Sequence, residues 1–236
     1  MSIAELYELF LQHPVVTTDT RNCPEGSMFF ALRGETFNGN AFALQALQSG
    51  CAYAVVDDTT VVGDERLIHV DDVLTTLQQL ATYHRHQLQT PVLQITGTNG
   101  KTTTKELTSA VLAEKFNVLY TQGNFNNHIG VPKTLLRLRK EHEIAVVETG
   151  ANHPGEIAQL SKIVDPNCGL ITNVGRAHLE GFGSFEGVIH TKGELYDYLR
   201  TKSDSFIFID GDNPYLGPIS KGLTAYTYGT PDKGYG

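Results

Sequence analysis

The segment best suited to chemistry is residues 97–103, which reads Gly-Thr-Asn-Gly-Lys-Thr-Thr and directly follows an apolar run. Glycines between a strand and a helix leave backbone N–H groups pointing outward, and the positive end of the helix dipole adds to them. Lys101 adds a full positive charge, and the Thr102 hydroxyl can bind a magnesium ion. The segment therefore predicts a nucleotide-phosphate site made of Gly97, Thr98, Asn99, Gly100, Lys101, Thr102 and Thr103.

The spacing of this loop differs from that of the common phosphate-binding loop, G-x-x-x-x-G-K-[ST]. That pattern would require a glycine at position 95, where the sequence has Ile95, and Gly97 gives the shorter form G-x-x-G-K-T. A plain glycine-rich turn with an exposed lysine is the alternative. The strand–loop–helix context favours the phosphate site.

Other chemically capable residues follow neighbouring apolar runs. Glu148 lies near the end of the run 144–149, and a carboxylate beside a triphosphate is a hard oxygen ligand for magnesium. Asn173 ends the next run and His178 follows it, whereas Lys192 lies in a helical segment that begins near residue 185. Taken singly, each fits an ordinary structural role, and Lys192 reads as an exposed helical lysine.

A further polar segment, residues 123–132, follows the run 117–121 and contains Asn126, Asn127 and His128. Asparagines tolerate turn geometry, so a plain loop is the alternative. In a parallel sheet, however, ligands bind beyond the carboxyl ends of the strands. Because several loops carry polar groups to that edge, we expect them to form one site.

The elements that must place these residues form two regions. Residues 89–236 contain apolar runs that alternate with helical segments, which predicts a doubly wound, mainly parallel α/β sheet. Residues 1–88 contain shorter apolar runs and helical segments at 40–50 and 73–88, which predicts a small amino-terminal α/β domain. The fold class is therefore α/β, with a small domain followed by a phosphate-loop domain.

The composition excludes some partners. A net charge of -8 argues against nucleic-acid binding, which calls for a basic face. No apolar run approaches the ~20 residues that cross a bilayer, so we expect no membrane partner. Cys23, Cys51 and Cys168 lack metal-ligand spacing, and we expect Cys51 and Cys168 in the core of a cytoplasmic protein.

Several blocks together resemble the Mur ligases, a family of ATP-dependent amide ligases that build the peptide of bacterial cell-wall precursors. The blocks read TGTNGKTTTKE, GNFNNHIGVPKTLL, VVETGANHPGEI, TNVGRAHLEGFGSFEGVIHTKGEL and, nearer the amino terminus, TDTRNCPEGSMFFALRGETFNGNAF. They span nearly all of the chain. The short phosphate loop is the family's own variant.

The resemblance implies roles for individual residues. Lys101 would bind the β- and γ-phosphates of ATP, and Thr102 and Glu148 would hold one magnesium ion. His178 and Lys192 would hold a second, with Lys192 carbamylated by carbon dioxide. Lys101, Glu148, His178 and Lys192 are thus the expected catalytic residues. The residues expected to bind the remaining substrates are Thr20, Arg21, Asn38, Asn40, Asn126, Asn127, His128 and Asn173.

The resemblance also implies substrates. The blocks are most similar to family members that join D-alanyl-D-alanine to UDP-N-acetylmuramoyl-tripeptide through an acyl phosphate, with release of ADP. Residues 1–88 would hold the UDP-sugar substrate and residues 89–236 the ATP, in a monomer. The family pattern continues through the rest of the ATP-binding domain and a third, carboxyl-terminal ligase domain, which are absent here. We therefore expect a truncated central domain with little activity alone.

Alternative functions remain open from the sequence. They are another Mur ligase, a ligase similar to folylpolyglutamate synthase, and a non-catalytic module that binds a nucleotide or a UDP-sugar. Folylpolyglutamate synthases begin close to their phosphate loop, whereas residues 1–96 precede it here. The family usually has Asp-Gly-His where this chain has Asn38, Gly39 and Asn40, which leaves individual uridine contacts open. A GTPase would need an N-K-x-D motif, which the sequence lacks.

Overall fold

The structure is a computed structural model that describes residues 1–175 and 179–230, without the side chains of residues 179 and 180. The chain divides into two compact units, one of Met1–Gln87 with Leu135–Arg137 and one of Leu88–Thr134 with Leu138–Gly236. Each unit contains a parallel sheet with helices, which confirms the predicted α/β class.

The first unit is built on a four-stranded parallel sheet in the order β1-β2-β3-β4. Its strands are β1 (Val16–Thr17), β2 (Met28–Phe30), β3 (Tyr53–Val56) and β4 (Leu67–His69). Its helices are α1 (Ile3–Gln12), α2 (Ala43–Gln48) and α3 (Val73–Gln87), and a 3₁₀ turn, Gly39–Phe42, precedes α2. The two helices predicted at 40–50 and 73–88 are therefore present.

Local sequence signals explain these elements. Ser2 and Glu5 form a reciprocal capping box at the start of α1, which satisfies backbone N–H groups that the first turn leaves free. Gly50 follows α2 with φ +108°, a conformation that only glycine adopts without strain. Cys51 is buried in the core of this unit, and Cys168 is buried in the other unit, as predicted.

The second unit is built on a six-stranded parallel sheet in the order β10-β9-β8-β5-β7-β6. Its strands are β5 (Val92–Thr96), β6 (Val118–Tyr120), β7 (Ile144–Glu148), β8 (Cys168–Ile171), β9 (Phe206–Asp210) and β10 (Thr224–Tyr228). Its helices are α4 (Lys101–Ala113), α5 (Gly130–Leu135), α6 (Glu156–Val164), α7 (Leu179–Phe182), α8 (Phe185–Arg200) and α9 (Leu216–Ile219). β10 was not predicted.

The strand order places a topological switch point between β5 and β8. The chain leaves β5 toward β6 on one side of the sheet and leaves β8 toward β9 on the other. Right-handed crossovers in opposite directions put α4 on one face and α8 on the other. Ligands bind at such a crevice, outside the carboxyl ends of the strands. Within the described residues, no helix is both long and apolar enough to span a membrane.

The strand register aligns the carboxyl ends of β5, β7 and β8, which precede the predicted site residues. Ile95 of β5 pairs with Glu148 of β7 and with Leu170 of β8. β5 and β8 are buried at every position, as expected for central strands covered on both faces. The loops that follow β5, β7 and β8 therefore begin at the same edge.

Candidate nucleotide and metal site

The glycines of the phosphate loop are required by its backbone. Gly97 has φ +143°, and a Cβ there would lie 2.1 Å from Oγ1 of Thr172. Gly100 has φ +75° and forms the N-cap of α4, where no side chain caps the helix. The loop thus approaches the β8 loop closely and then enters α4 in a left-handed conformation.

The first turn of α4 presents free backbone donors. The first backbone hydrogen bond of this helix runs from Thr104 N to Gly100 O at 2.9 Å. Within the part of the chain that the structure describes, the N–H groups of Gly100, Lys101, Thr102 and Thr103 have no acceptor. Free N–H groups at a helix N-terminus, together with the helix dipole, bind phosphate readily.

Lys101 lies folded back over its own loop. Its Nζ donates to the carbonyls of Gly97 at 2.9 Å and Thr98 at 3.1 Å. Burial lowers the pKa of this ammonium, and the nearby Glu148 carboxylate opposes that effect. The structure therefore brings Lys101 and Glu148 to the same site, as the common-edge prediction requires.

Asn173, in the loop that follows β8 (the β8 loop, from residue 172), holds the phosphate loop in place. Asn173 Oδ1 accepts from the Asn99 N–H and Asn173 Nδ2 donates to the Asn99 carbonyl, each at 3.1 Å. The Asn173 carbonyl also accepts from the Thr98 N–H at 3.0 Å. The amides of Thr98 and Asn99 are thus occupied, so the donors for phosphate begin at Gly100. Asn173 was predicted to bind substrate, and in the structure its side chain positions the loop.

Glu148 is the charged centre of the site. It is fully buried, and its Oε1 accepts from Thr102 Oγ1 at 3.2 Å and from Asn126 Nδ2 at 2.8 Å. Its Oε2 is buried and has no hydrogen-bond partner among the described residues. A buried carboxylate oxygen without a donor is costly, and a divalent cation would satisfy it. The Thr102 hydroxyl and the Glu148 carboxylate are oxygen ligands that suit magnesium.

Lys192 is buried, contrary to the interpretation of an exposed helical lysine. It is 3% exposed, and its Nζ lies 5.2 Å from the centre of the Phe182 ring. Burial, followed by the positive charge of Lys101, lowers the pKa of Lys192 to about 8, although Glu194 and Glu156 act in the opposite direction. A lysine of this kind has a larger neutral fraction than an exposed one, and the neutral amine is the form that reacts with carbon dioxide.

The predicted metal ligands are only partly described. His178 lies outside the described residues, so the structure does not place it. Among the residues that are described, no three His, Cys, Asp or Glu side chains form a cluster that could hold a metal ion. Thr102 and Glu148 therefore form the described part of the predicted magnesium site, and the roles of His178 and Lys192 remain predictions.

Of the three residues predicted in the loop after β6, one contacts the site carboxylate and the other two do not. Asn126 contacts Glu148 directly, as described above. Asn127 instead accepts from the N–H groups of Ile129 at 3.1 Å and Gly130 at 2.8 Å, which fixes the start of α5. His128 is exposed. Asn126 is thus the residue of this predicted group that the structure brings to the carboxylate.

The residues predicted to hold the UDP-sugar lie in the first unit. Arg21 is exposed and forms a bidentate pair with Asp19, with Nη2–Oδ2 at 2.7 Å and Nε–Oδ1 at 2.9 Å. Thr20 lies between them and is half-buried. This loop follows β1, at the carboxyl edge of its sheet.

Asn38 and Asn40 have structural partners. Asn38 Oδ1 caps the 3₁₀ turn by accepting from the Asn40 N–H at 3.1 Å and from its Nδ2 at 3.0 Å. Asn40 is 2% exposed, its Nδ2 also donates to Asp57 at 2.8 Å, and its Oδ1 accepts from the N–H groups of Asp57 and Asp58. Both donors and both acceptor positions of Asn40 are in use, so its side chain shapes the loop.

Sequence reasoning missed Lys105. This residue is fully buried, and its Nζ donates to the Thr121 carbonyl at 2.7 Å. Its position four residues after Lys101 was an available signal, because residues at that spacing share a helix face. A helical lysine is nevertheless exposed in most proteins, and nothing in the local pattern marks this one as buried.

Comparison with known proteins agrees with this geometry. Residues 95–234 match the family described as the Mur ligase middle domain, and residues 14–85 match that described as the Mur ligase family, catalytic domain. The chain is 43% identical over 227 residues to the UDP-N-acetylmuramoyl-tripeptide–D-alanyl-D-alanine ligase of Bacillus subtilis, covering 95% of this chain and 49% of that protein.

Solved structures give the same result. The crystal structure of MurF from Acinetobacter baumannii has a TM-score of 0.82 at 37% identity, covering 90% of this chain and 47% of that one. The MurF ligase of Thermotoga maritima in complex with ADP has a TM-score of 0.82 at 33% identity, covering 91% and 50%. The chain spans about half the length of the curated relatives it matches. Since the middle-domain match alone, residues 95–234, covers more than half of it, the chain belongs to the Mur ligase family.

Proposed function

We propose that this chain forms the UDP-sugar-binding and ATP-binding parts of an ADP-forming ligase, which joins D-alanyl-D-alanine to UDP-N-acetylmuramoyl-tripeptide. The observation that carries the proposal is the buried Glu148 carboxylate beside the start of α4. Its Oε1 accepts from Thr102 Oγ1 at 3.2 Å, and its Oε2 has no hydrogen-bond partner among the described residues. The chain's similarity to relatives that carry this name supports the choice of substrates.

The residues of the chain would act mainly by positioning. The free N–H groups from Gly100 to Thr103 would bind phosphate oxygens of ATP, and Lys101 would move from its loop carbonyls to the β- and γ-phosphates. The substrate carboxylate would attack the γ-phosphorus, the bond to the β-phosphate oxygen would break, and ADP would leave. The amine of D-alanyl-D-alanine would then attack the acyl carbon and release phosphate. Phosphoryl transfer depends largely on such alignment and charge neutralisation.

The residues at the site fit magnesium. Thr102 Oγ1 and Glu148 Oε2 would be its ligands, and the ion, when bound, supplies positive charge against the phosphate oxygens. A second ion at His178 and a carbamylated Lys192 belongs to the same proposal. The carbamate would form by attack of the neutral amine on carbon dioxide, with loss of one proton. The burial of Lys192 supports this step, because burial lowers the pKa of the amine.

The first unit would bind the UDP-sugar. Arg21 offers a guanidinium on an exposed loop, and Thr20 and Asn38 lie on loops that follow β1 and β2 of the same sheet. A guanidinium is well matched to the oxygens of a diphosphate. A cytoplasmic location remains part of the proposal, supported by three cysteines that are free thiols. A monomeric state is proposed with it.

Isothermal titration of this chain tests the proposal. We expect saturable binding of ADP in magnesium, weaker binding of ADP in EDTA, and separate binding of UDP-N-acetylmuramoyl-tripeptide. GDP serves as the matched control and should bind more weakly than ADP. Absence of any nucleotide binding would contradict the proposal. Coupled measurement of ADP release with all three substrates distinguishes a ligase from a non-catalytic binding module.

A further inference from the structure

We propose that Lys105 is a positioning residue that holds the Glu148 carboxylate against Thr102 and anchors the loop after β6, residues 121–128. The inference rests on the proposed nucleotide function and deepens it. Lys105 does not reach the phosphate site itself. It acts through Thr121 and the loop that carries Asn126.

The contacts of Lys105 are unusual for a lysine. Its side chain is fully buried, and its Nζ donates to the Thr121 carbonyl at 2.7 Å and the Gly123 carbonyl at 3.4 Å. A carboxylate oxygen of Glu106, whose side chain is half-exposed, lies 2.6 Å away. The ammonium therefore ties α4 to the backbone of the loop after β6.

These contacts belong to a closed ring of interactions. Thr121 Oγ1 accepts from the Glu148 N–H at 3.0 Å, and Glu148 Oε1 accepts from Thr102 Oγ1 at 3.2 Å. Thr102 and Lys105 are three residues apart on α4, so they lie on neighbouring turns of one helix face. The position of the Glu148 carboxylate relative to Thr102 therefore depends both on its contact with Thr102 and on the contacts of Thr121 with Glu148 and Lys105.

A second connection joins the same loop to Glu148. Asn126 Nδ2 donates to Glu148 Oε1 at 2.8 Å, and the Asn126 carbonyl accepts from the Gly150 N–H at 2.8 Å. Release of the Gly123 carbonyl from Lys105 would loosen the loop that carries Asn126. Glu148 would then be held less firmly both by Thr121 and by Asn126.

An apolar side chain would fill the same space without the cost of burying a charge. Burial of an ammonium is unfavourable unless hydrogen bonds and opposite charge compensate it. The compensating groups here are loop carbonyls and one carboxylate, and the loop leads directly to the site. Residues that orient a metal ligand from outside the coordination shell typically change metal affinity by about 10–100-fold when mutated.

The test compares ADP affinity in magnesium with ADP affinity in EDTA, for the wild-type chain and for Lys105→Met. We expect the magnesium-dependent gain to fall by about tenfold or more, whereas affinity in EDTA changes by less than about twofold, because the free amides and Lys101 are untouched. Lys115→Met is the matched control, since Lys115 is exposed just beyond α4, and it should keep the full gain.

Thr121→Val provides an independent variant, because it removes the Oγ1 acceptor for the Glu148 N–H and keeps the carbonyl. It should lose the same magnesium-dependent gain, because it breaks the same ring of interactions at the contact between Thr121 and Glu148. Retention of the gain in Lys105→Met would overturn the inference. An equal loss in magnesium and in EDTA would also overturn it, since that indicates general destabilisation.

Hydrogen exchange in the ligand-free chain gives a readout that does not depend on nucleotide. Amides within residues 121–128 should exchange faster in Lys105→Met than in wild type, and those of the first unit should not change. Unchanged exchange in this loop would refute the anchoring role. If the wild-type chain binds no ADP, the proposed function fails, and hydrogen exchange alone then decides whether Lys105 anchors the loop.

Discussion

At the scale of single residues, the site contains charged groups that the fold has removed from water. Glu148 and Lys105 are fully buried, Lys192 is 3% exposed and Lys101 is half-buried. Buried charges are costly unless they are paired, so their concentration at one sheet edge indicates a functional site rather than a stabilising core. The arrangement suits a ligand that brings both anionic oxygens and cations.

Lys192 provides the prediction at this scale. Incubation of the chain with isotopically labelled bicarbonate should produce a carbamate signal in carbon NMR, because burial lowers the pKa of Lys192 to about 8 and so raises the fraction of neutral amine. The signal should disappear in Lys192→Met. It should persist in Lys162→Met, which alters an exposed lysine of α6. A signal that survives in Lys192→Met would show that the carbamate forms elsewhere.

At the scale of elements, the junction of β5 and α4 depends on glycine in two different ways. A Cβ at Gly97 would meet Thr172 Oγ1 at 2.1 Å, whereas a Cβ at Gly100 would meet no atom within 4 Å. We therefore expect Gly100→Ala to cost only the left-handed backbone conformation, about 1–2 kcal/mol. Gly97→Ala must also displace the β8 loop and should be more destabilising.

The two variants are compared by thermal unfolding and by titration with ADP. Gly100→Ala should retain nucleotide binding, because it keeps every N–H group of the first turn. Gly97→Ala should lose most of the binding, because the clamp between Asn99 and Asn173 is broken when the loops separate. Equal effects of the two substitutions would show that close approach of the loops is not what Gly97 provides.

The sequence predicts a strand of this sheet well when the strand is buried on both faces, and poorly when it is exposed. The central strands were predicted because they are covered on both faces and read as continuous apolar runs. β10 was missed because all five of its residues are exposed and its sequence, Thr-Ala-Tyr-Thr-Tyr, has no apolar run. The clamp by Asn173 and the burial of Lys105 depend on partners many residues away, Asn99 and Thr121. No local pattern could show either contact.

Asp57 provides a prediction for the first unit. Its carboxylate accepts from Arg33 Nε at 2.7 Å, Asn40 Nδ2 at 2.8 Å and the Val73 N–H at 3.2 Å, so it joins the end of β3 to the 3₁₀ turn and to α3. Asp57→Asn should destabilise this unit by about 1–3 kcal/mol, because an amide cannot accept all three bonds. Asp71→Asn, at an exposed position, should change stability by less than about 0.5 kcal/mol.

The effect of Asp57→Asn should depend on pH. Burial acts to raise the pKa of Asp57, but the bonds from Arg33, Asn40 and Val73 outweigh it and hold the pKa below its ordinary value of 3.8. A carboxyl whose pKa is lower in the folded state stabilises it above the unfolded value, and that stability is lost as the pH falls through the folded value. The difference in stability between wild type and variant should therefore shrink as the pH falls below 3.8, as measured by hydrogen exchange of the first unit.

At the scale of the whole molecule, the chain is acidic and its proposed ligands are anionic as well. The net charge of -8 does not oppose their binding, because charges separated by more than ~8 Å are largely screened at physiological salt. Lys101 and the free amides of α4 set the local field in the second unit. In the first unit, Arg21 is paired with Asp19, and its guanidinium would bind a diphosphate by exchanging that partner. The chain thus separates its proposed ligands between two units, each with its own positive groups.

This separation predicts that a substitution in one unit can abolish the affinity for one ligand without changing the affinity for the other. Lys101→Ala should weaken ADP binding by about 100-fold or more, since a charge ~4 Å from a phosphate contributes about 4 kcal/mol at an effective dielectric of ~20. It should leave the affinity for UDP-N-acetylmuramoyl-tripeptide unchanged. Arg21→Met should do the reverse, because its guanidinium lies on the β1 loop of the other unit. Titration of both variants with both ligands measures this, and parallel loss of the two affinities in either variant would contradict the assignment of one ligand to each unit.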